Sequence, residues 1–360
     1  MKLCLISFSE LPVYASSILI QGKHLKERIE LYVIGSKKFK KEYNSEFDEK
    51  HLLLVDTPER PSPSKTSLSK YNKAKKSIFN FIKDNNIDDI YFINKHIWNL
   101  FLCIHFKNKV KLYHCLHDPL GHNGDKISKS VYYYNKVLIK FLDGIVTLSD
   151  KSFHETKNVL KPKCKITKLP LIQCERNSYE PIRNTKNILF FGRLNNYKGV
   201  EFLPLIADEL KILDKDITIT IAGKRSNDVD DSVFEEIKKR DNINFLDRFI
   251  DESEVDDLYY NADLVLMPYK SITQSGIIVD SYNHSRPIIC FGIEGINEFI
   301  NNSSAIISKP FDVKEISKQI FEYINMSDEN KARMAKASFE LGKDLFSPEV
   351  FVDKFLNFVE

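Results

Sequence analysis

Several protein classes are excluded by what this sequence has little of. Glycine at 12 and proline at 13 of 360 residues leave no room for a collagen-like or low-complexity chain. No window approaches the roughly 18 uninterrupted apolar residues that a membrane-spanning helix needs. The opening MKLCLISFSELP has one lysine and a short apolar run, then Glu10 and Pro12, without a small-residue cleavage site. It reads as a first buried strand, not an export signal. The six cysteines, Cys4, Cys103, Cys115, Cys164, Cys174 and Cys290, lie far apart and form no C-x-x-C pair. They suit a reducing cytoplasm better than a disulfide framework or a metal site. What the chain does have is a 42% apolar content, enough for cores, and length for about two domains at roughly 100 to 200 residues each.

An excess of charge of one sign is also missing, but only in total. The formal net charge is +3, yet residues 1–180 sum to +12 and residues 181–360 to −9. The densest basic runs lie at 37–41, 65–76 and 161–168. Two readings are open: lysine-rich solvated faces, or a first half that meets an anionic partner such as a membrane phospholipid or a lipid-pyrophosphate substrate. Nucleic acid is disfavoured, because none of the helix-turn-helix, RNP, KH or zinc-finger signatures accompanies the lysines.

Short apolar runs alternate with amphipathic stretches, the pattern of parallel strands joined by crossover helices. In the first half the runs are Lys2–Ser7, Glu30–Ile34, Leu52–Val55, Asp89–Ile93, Lys111–Leu116 and Gly144–Leu148, with helical spacing over 70–85 and 128–142. A second series follows at Asn187–Phe191, Ile217–Ala222, Ile243–Leu246, Asp263–Met267, Pro287–Phe291 and Ala305–Ile307. Its helices are expected near 200–213, 231–240, 252–260, 276–285 and 313–325. This predicts two doubly wound domains, 1–172 and 186–345, a linker at 173–185, and a terminal helix in 346–360 that packs back toward the first. Ligands are expected in the cleft between the domains, beyond the carboxyl ends of strands.

The strongest chemical signal is FFGRLNNYKGV, residues 190–200. A strand ends at Gly192, two cations follow in a short loop, and Gly199 precedes an amphipathic stretch. Arg193 can fork two phosphate oxygens while Lys198 supplies a mobile point charge, a pair able to neutralise a diphosphate leaving group. A basic strand-to-helix turn is the plainer alternative. Further on, Thr273-Gln274-Ser275-Gly276 falls between a strand and a helix, where unpaired amides suit a phosphate or sugar hydroxyls. Asp280 stands one turn deeper; it can accept from vicinal hydroxyls such as a ribose diol, or be an ordinary surface aspartate.

These residues resemble the nucleotide-sugar-binding domain of retaining glycosyltransferase family 4, a GT-B group. The family's G-R-L-x(2-4)-K-G loop reads here as Gly192-Arg193-Leu194 with Lys198-Gly199. Its A-G strand end is Ala222-Gly223, its A-D strand is Ala262-Asp263 with Pro268, and its G-x-P-V-I is matched by Arg286-Pro287-Ile288-Ile289. The resemblance implies a GT-B architecture, an α/β pair of Rossmann-like domains facing across a cleft. It also implies that Arg193 and Lys198 hold the donor's pyrophosphate, that Glu298 falls in the family's G-G-x-x-E turn, and that the base is met by main-chain groups near 247–249. The family's paired glutamates are incomplete: Asp280 stands at the second position and Ile272 at the first. Branches with a T-Q-S-G turn are more similar, and there Thr273, Gln274, Ser275 and the Gly276 amide replace the missing contacts.

The first half resembles the family at HCLHDPLGHNGDK, where His117-Asp118-Pro119 and His122 match an H-D-P-x-x-H turn. His117 would hydrogen-bond the transferred sugar, and Asp118 or His122 would orient or deprotonate the acceptor hydroxyl. A capped turn with exposed histidines remains open. Where relatives have a glycine pair near the amino terminus, this chain has Tyr14-Ala15-Ser16-Ser17. Zinc is disfavoured because His114, His117 and His122 lack a fourth ligand at sensible spacing. Asp228-Val229-Asp230 fits a D-x-D metal pattern but sits in an acidic polar loop.

The expectation is a cytoplasmic glycosyltransferase, peripheral on the inner membrane face, using a UDP- or GDP-type sugar donor and no cofactor or required metal. Its acceptor would be a glycan or lipid-linked hydroxyl in bacterial surface polysaccharide synthesis. An epimerase or hydrolase of sugar nucleotides, or a catalytically silent partner subunit, are the rival readings.

Overall fold

A computed structural model describes residues 1–59, 64–117, 119–120, 128–172, 176 and 178–360. The chain divides into two units, Met1–Ile172 with Pro348–Glu360, and Gln173–Ser347.

The first unit is built on strands β1 (Lys2–Ile6), β2 (Glu30–Ser36), β3 (Leu52–Val55), β4 (Asp89–Phe92), β5 (Lys111–Cys115), β6 (Gly144–Thr147) and β7 (Lys165–Lys168). All pair in parallel in the order β3-β2-β1-β4-β5-β6-β7. Parallel strands are covered on both faces, so they read as continuous apolar runs, and the two-residue period sorts their side chains. Cys4, Ile6, Ile90 and Phe92 go to one core; Leu3, Leu5, Tyr91 and Ile93 go to the other.

Helices α1 (Pro12–Leu25) and α2 (Lys40–Glu46) cover the second face; α3 (Lys65–Asp84), α4 (Ile97–Phe106) and α5 (Ser128–Leu138) cover the first, and α6 (Asp150–Glu155) follows β6. Neither α1 nor α4 is announced by helical spacing. The α4 segment IWNLFLCIHF is apolar almost throughout, so it has no polar stripe to reveal a period. The four-residue β7, KITK, is an edge strand whose lysines discourage pairing with another sheet.

The second unit contains β8 (Asn187–Phe191), α7 (Leu203–Leu213), β9 (Thr218–Ala222), α8 (Asp231–Lys238), β10 (Ile243–Leu246), α9 (Glu252–Tyr260), β11 (Leu264–Met267), α10 (Gly276–Asn283), β12 (Ile288–Phe291), β13 (Ala305–Ser308), α11 (Val313–Ile324) and α12 (Asp328–Phe346). Its parallel sheet runs β10-β9-β8-β11-β12-β13. The α12 helix escapes the apolar pattern because its buried face is largely small or polar: Ala335, Ser338 and Gly342 beside Lys331 and Phe346.

Two motif residues hold this unit together. Asp263 accepts from the amides of Thr185 and Lys186 at 3.0 and 2.9 Å and so fixes where β8 begins. Arg286 is fully buried; it donates to the Tyr259 carbonyl at 2.8 Å and the Glu180 carbonyl at 3.0 Å, tying the entering segment to the end of α9.

The last helix, α13 (Pro348–Val359), belongs to the first unit. It buries Phe351, Val352, Phe355 and Phe358 in the second-face core, and its Val359 carbonyl accepts from the Tyr113 hydroxyl at 3.0 Å. Cys4, Cys103, Cys115, Cys164 and Cys290 are free thiols. Burial pushes the Cys290 thiol up to about 12, which makes it inert. Cys174 lies outside the described residues.

Candidate functional site

In the second unit the sheet order changes direction at β8, with β9 on one side and β11 on the other. Loops leaving the carboxyl ends of such neighbours diverge and open a crevice. The loop after β8 is pinned on both sides. Gly223 follows β9 with φ +151°, and a Cβ there would lie 2.1 Å from the Gly192 carbonyl oxygen. Gly199 has φ +73°, and a Cβ there would lie 1.9 Å from the Pro268 carbonyl oxygen. Only glycine lets the three strand ends approach this closely.

Between those contacts, the Leu194 amide donates to the Lys224 carbonyl at 3.0 Å, the Leu194 carbonyl accepts from the Ser226 amide at 3.2 Å, and Asn195 Nδ2 donates to Ser226 Oγ at 3.2 Å. Asp228 accepts from the Asn196 amide at 3.2 Å, and Asp230 accepts from the Ser232 amide at 2.8 Å at the start of α8. The D-x-D residues therefore anchor the cation loop and cap a helix. Lys270 pairs with Glu201 at 2.5 Å and with Asn196, and its amide donates to the Tyr197 carbonyl, tying the loop to the end of β11.

This scaffold encloses Lys198, which is only 7% exposed. Its Nζ lies 5.5 Å from the Tyr269 ring centroid and would sit 2.7 Å from a Cβ at Gly192, beside Ile277 of α10. No carboxylate pairs with it among the described residues. Burial lowers its ammonium to about 8, so below that pH it is an enclosed positive charge with no protein anion to balance it. Arg193 is exposed and likewise has no carboxylate partner among the described residues.

The turn 273–276 leads into α10. Ser275 is its N-cap in extended conformation but its hydroxyl does not cap the helix. A Cβ at Gly276 would meet nothing within 4 Å. The helix start thus offers uncapped amides to open space, an arrangement suited to anions. Asp280 lies one turn on; burial raises its carboxyl to about 7, and that carboxyl takes no hydrogen bond or ion pair among the described residues, while the Asp280 main-chain carbonyl accepts from His284. Ile272, at the place of the family's first carboxylate, is buried. A Cβ at Gly295 would lie 3.8 Å from Ile272 Cγ2, so the short helical turn Ile296–Glu298 starts beside the same segment.

Beyond the ends of β9 and β10 lies a cavity of about 830 Å³ whose lining includes Lys224, Arg225, Asp247, Arg248 and Phe249. Arg225 Nε pairs with Asp247 at 2.5 Å and its guanidinium stacks on Phe234. Phe249 presents its ring at 69% exposure. Sequence reasoning singled out only the main chain here. Arg225 and Phe249 carry no motif of their own, and no sequence signal marks them.

In the first unit, His117 follows β5, is half-buried, and lies edge-on to Tyr14 at 6.0 Å; its carbonyl accepts from Ser152 Oγ at 2.8 Å. Asp118 and His122 lie outside the described residues. His114 is a core residue: its Nδ1 bonds the Cys115 carbonyl, its Nε2 meets Asn99, and burial lowers it to about 4. Among the described residues no three His, Cys, Asp or Glu side chains gather as a metal site.

Comparison with known proteins adds to this geometry. Residues 185–326 match the family model described as Glycosyl transferases group 1. No curated protein matches the chain. Among solved structures, HepE of Anabaena in complex with UDP and glucose is similar over 100% of this chain and 99% of its own, at 15% identity and a TM-score of 0.75. Sucrose-phosphate synthase from Thermosynechococcus elongatus is similar over 99% and 98%, at 13% identity and 0.74. A glycosyltransferase from Rickettsia africae is similar over 99% and 96%, at 18% identity and 0.68. The chain therefore has the two-domain α/β fold of GT-B glycosyltransferases, with its glycosyl transferases group 1 match spanning the unit that holds Arg193, Lys198 and Asp280.

Proposed function

We propose that this protein is a retaining glycosyltransferase of the family 4 type, moving a sugar from a nucleoside diphosphate donor to a hydroxyl of a glycan or lipid-linked acceptor. Surface polysaccharide assembly at the inner face of a bacterial membrane is the setting proposed for it. The observation that carries the reading is Lys198: an enclosed ammonium without a carboxylate partner, beside the uncapped start of α10 and near a glycine-lined loop. Such a charge is costly unless an anion completes it. A donor pyrophosphate would lie across Lys198, Arg193 and the Gly276 amide, with Thr273, Gln274 and Ser275 on the sugar and phosphate and Asp280 on the ribose diol. The 830 Å³ cavity has room for the nucleoside. The UDP in the HepE structure supports a uridine-type donor.

In this reading the bond from the anomeric carbon to the diphosphate oxygen breaks as the acceptor oxygen bonds the same face, and the acceptor proton passes to the leaving diphosphate. Arg193 and Lys198 balance the charge that develops there, so the scheme needs no metal. The H-D-P-x-x-H resemblance supports His117 as a hydrogen-bonding partner of the transferred sugar and Asp118 or His122 as the group that orients or deprotonates the acceptor hydroxyl. Removing one such charge-stabilising donor typically costs about 2.7 to 4 kcal/mol. The test is a thermal-shift screen with UDP, GDP and their sugars, followed by transfer assays. Stabilisation by a nucleoside diphosphate that is lost in Lys198→Ala and weakened in Ser275→Ala is expected. No stabilisation by any of them sinks the proposal, and donor turnover without acceptor favours a hydrolase or epimerase.

A further inference from the structure

The helical layer α3-α4-α5 of the first unit is rich in lysine and nearly free of carboxylates. The α3 helix carries six lysines and one aspartate, and α4 and α5 contain no acidic residue. On the opposite face of the same sheet, α2 balances Lys40 and Lys41 with Glu42 and Glu46, and α13 sets Glu349 and Asp353 against Lys354. The three helices form one continuous layer, its lysines carried by α3 and α5. Trp98 Nε1 of α4 donates to Ser67 of α3, Phe79 stacks on His105 at 3.9 Å, and Lys107 Nζ donates to the Lys140 carbonyl just beyond α5.

Few of these lysines are neutralised. Lys70 pairs with Asp56, but Lys73, Lys76, Lys129, Lys136 and Lys140 have no carboxylate partner among the described residues. Large apolar side chains stand between them in solvent: Tyr133 at 65% and Val137 on α5, Ile104 at 53% on α4 and Leu68 on α3. On α5 the positions 129, 133, 136 and 137 share one exposed stripe of lysine, tyrosine and valine, and the exposed Lys140 follows in the turn just beyond it. Two of the ammoniums lie over aromatic rings, Lys136 Nζ 5.2 Å from the Tyr132 ring centroid and Lys107 Nζ 5.1 Å from that of Phe141.

We infer that the α3-α4-α5 face is a docking surface for an anionic phospholipid bilayer, with α5 lying in the headgroup region. Interleaved lysine and exposed aromatic or aliphatic residues match an interface that is negative outside and apolar beneath. The face contains no arginine, and the exposed apolar groups have no use against a phosphate backbone, so nucleic acid fits it less well. This deepens the membrane half of the proposed function, and its test requires no sugar transfer.

The experiment is co-sedimentation with phosphatidylcholine vesicles with and without about 30 mol% phosphatidylglycerol, at roughly 0.1 and 0.5 M salt, since screening separates charge from apolar contact. Binding is expected only to the anionic vesicles and is weakened by salt. At about 1 kcal/mol per surface lysine, Lys129→Glu, Lys136→Glu and Lys140→Glu together should lower the partition coefficient on the order of 100-fold or more. Tyr133→Ser with Val137→Ser should weaken it further at high salt. Unchanged thermal unfolding and unchanged UDP stabilisation in these variants show that fold and donor site are intact. Equal binding by the triple-glutamate variant, no preference for anionic vesicles, or displacement of vesicles by a DNA duplex overturns the inference. Loss of UDP stabilisation in the unaltered protein, with vesicle binding retained, sinks the donor reading instead.

Discussion

The two units have similar sheets and treat their cations in opposite ways. In the second, Lys211 faces Asp241, Lys239 faces Glu236, Arg240 bridges Asp208 and Glu236, and Arg248 faces Glu254. In the α3-α4-α5 layer of the first, most lysines stand alone. Exposed pairs add little to stability, but they cancel the field beyond the surface. Unpaired lysines on one face keep that field and attract an anionic partner over a distance of about a Debye length, roughly 8 to 10 Å. Within the second unit, Lys198 is the exception: it is enclosed with neither a carboxylate nor a hydrogen-bond acceptor among the described residues, whereas the buried Lys331 donates to Asn184 Oδ1 and the unpaired Arg193 is exposed. In the proposed reading, an uncompensated cation marks a partner, and its burial distinguishes a small ligand from a broad surface.

The largest expected effect tests that exception. Lys198→Ala should lower turnover roughly 100- to 1000-fold, with folding retained because the burial of an unbalanced charge is relieved; a near-normal rate ends the parallel between enclosed charge and ligand. Next, Phe355→Ala should remove a ring packed 4.8 Å from Tyr91. Its thermal denaturation should report a loss of about 3 to 5 kcal/mol, which would show α13 to be an integral wall of the basic unit. An unchanged melting curve would mean that the helix is dispensable.

A pH profile sharpens the contrast within the donor site. Asp280 is raised to about 7 and so is largely protonated below that pH, while Lys198 is lowered to about 8 and loses its charge above it. Both are ionised only between those values, and kcat/KM should peak there. Asp280→Asn should flatten the acid limb and leave the alkaline one, and an unaltered acid limb removes Asp280 from the ribose. The smallest effect is expected where cations are already paired: Lys238→Gln with Lys239→Gln should leave melting temperature, donor stabilisation and vesicle binding within error. A loss of vesicle binding there would dissolve the distinction between the units.

Much of the architecture was legible because parallel strands bury both faces. Runs such as LCLI at 3–6 and ILFF at 188–191 leave no other reading in a chain with crossover-length spacers. Helix α4 was hidden for the same reason that β4 was visible, since both are uniformly apolar and period alone separates them only when a polar side exists. Helix α12 was hidden by a buried face of alanine, serine and glycine. In the donor unit, Arg193, Lys198 and the turn 273–276 were legible because glycine, cation and strand end coincide in sequence. Arg225 and Phe249 were not. The stack on Phe234 and the pair with Asp247 join residues from three separate loops, and no spacing records that meeting.

Local sequence by itself determined every strand except the lysine-flanked β7, the glycines that permit tight strand ends, and the excess of lysine in the first 180 residues. Tertiary structure decided which of those charges would be cancelled. Whether a lysine meets a carboxylate depends on side chains brought from distant segments to within about 4 Å, and Coulomb attraction at that range in water is strong only for actual neighbours. The buried state of Lys198, the isolation of Asp280 and the gathering of α3, α4 and α5 onto one basic face are all consequences of packing. Folding turned a modest net charge into one enclosed site and one open surface.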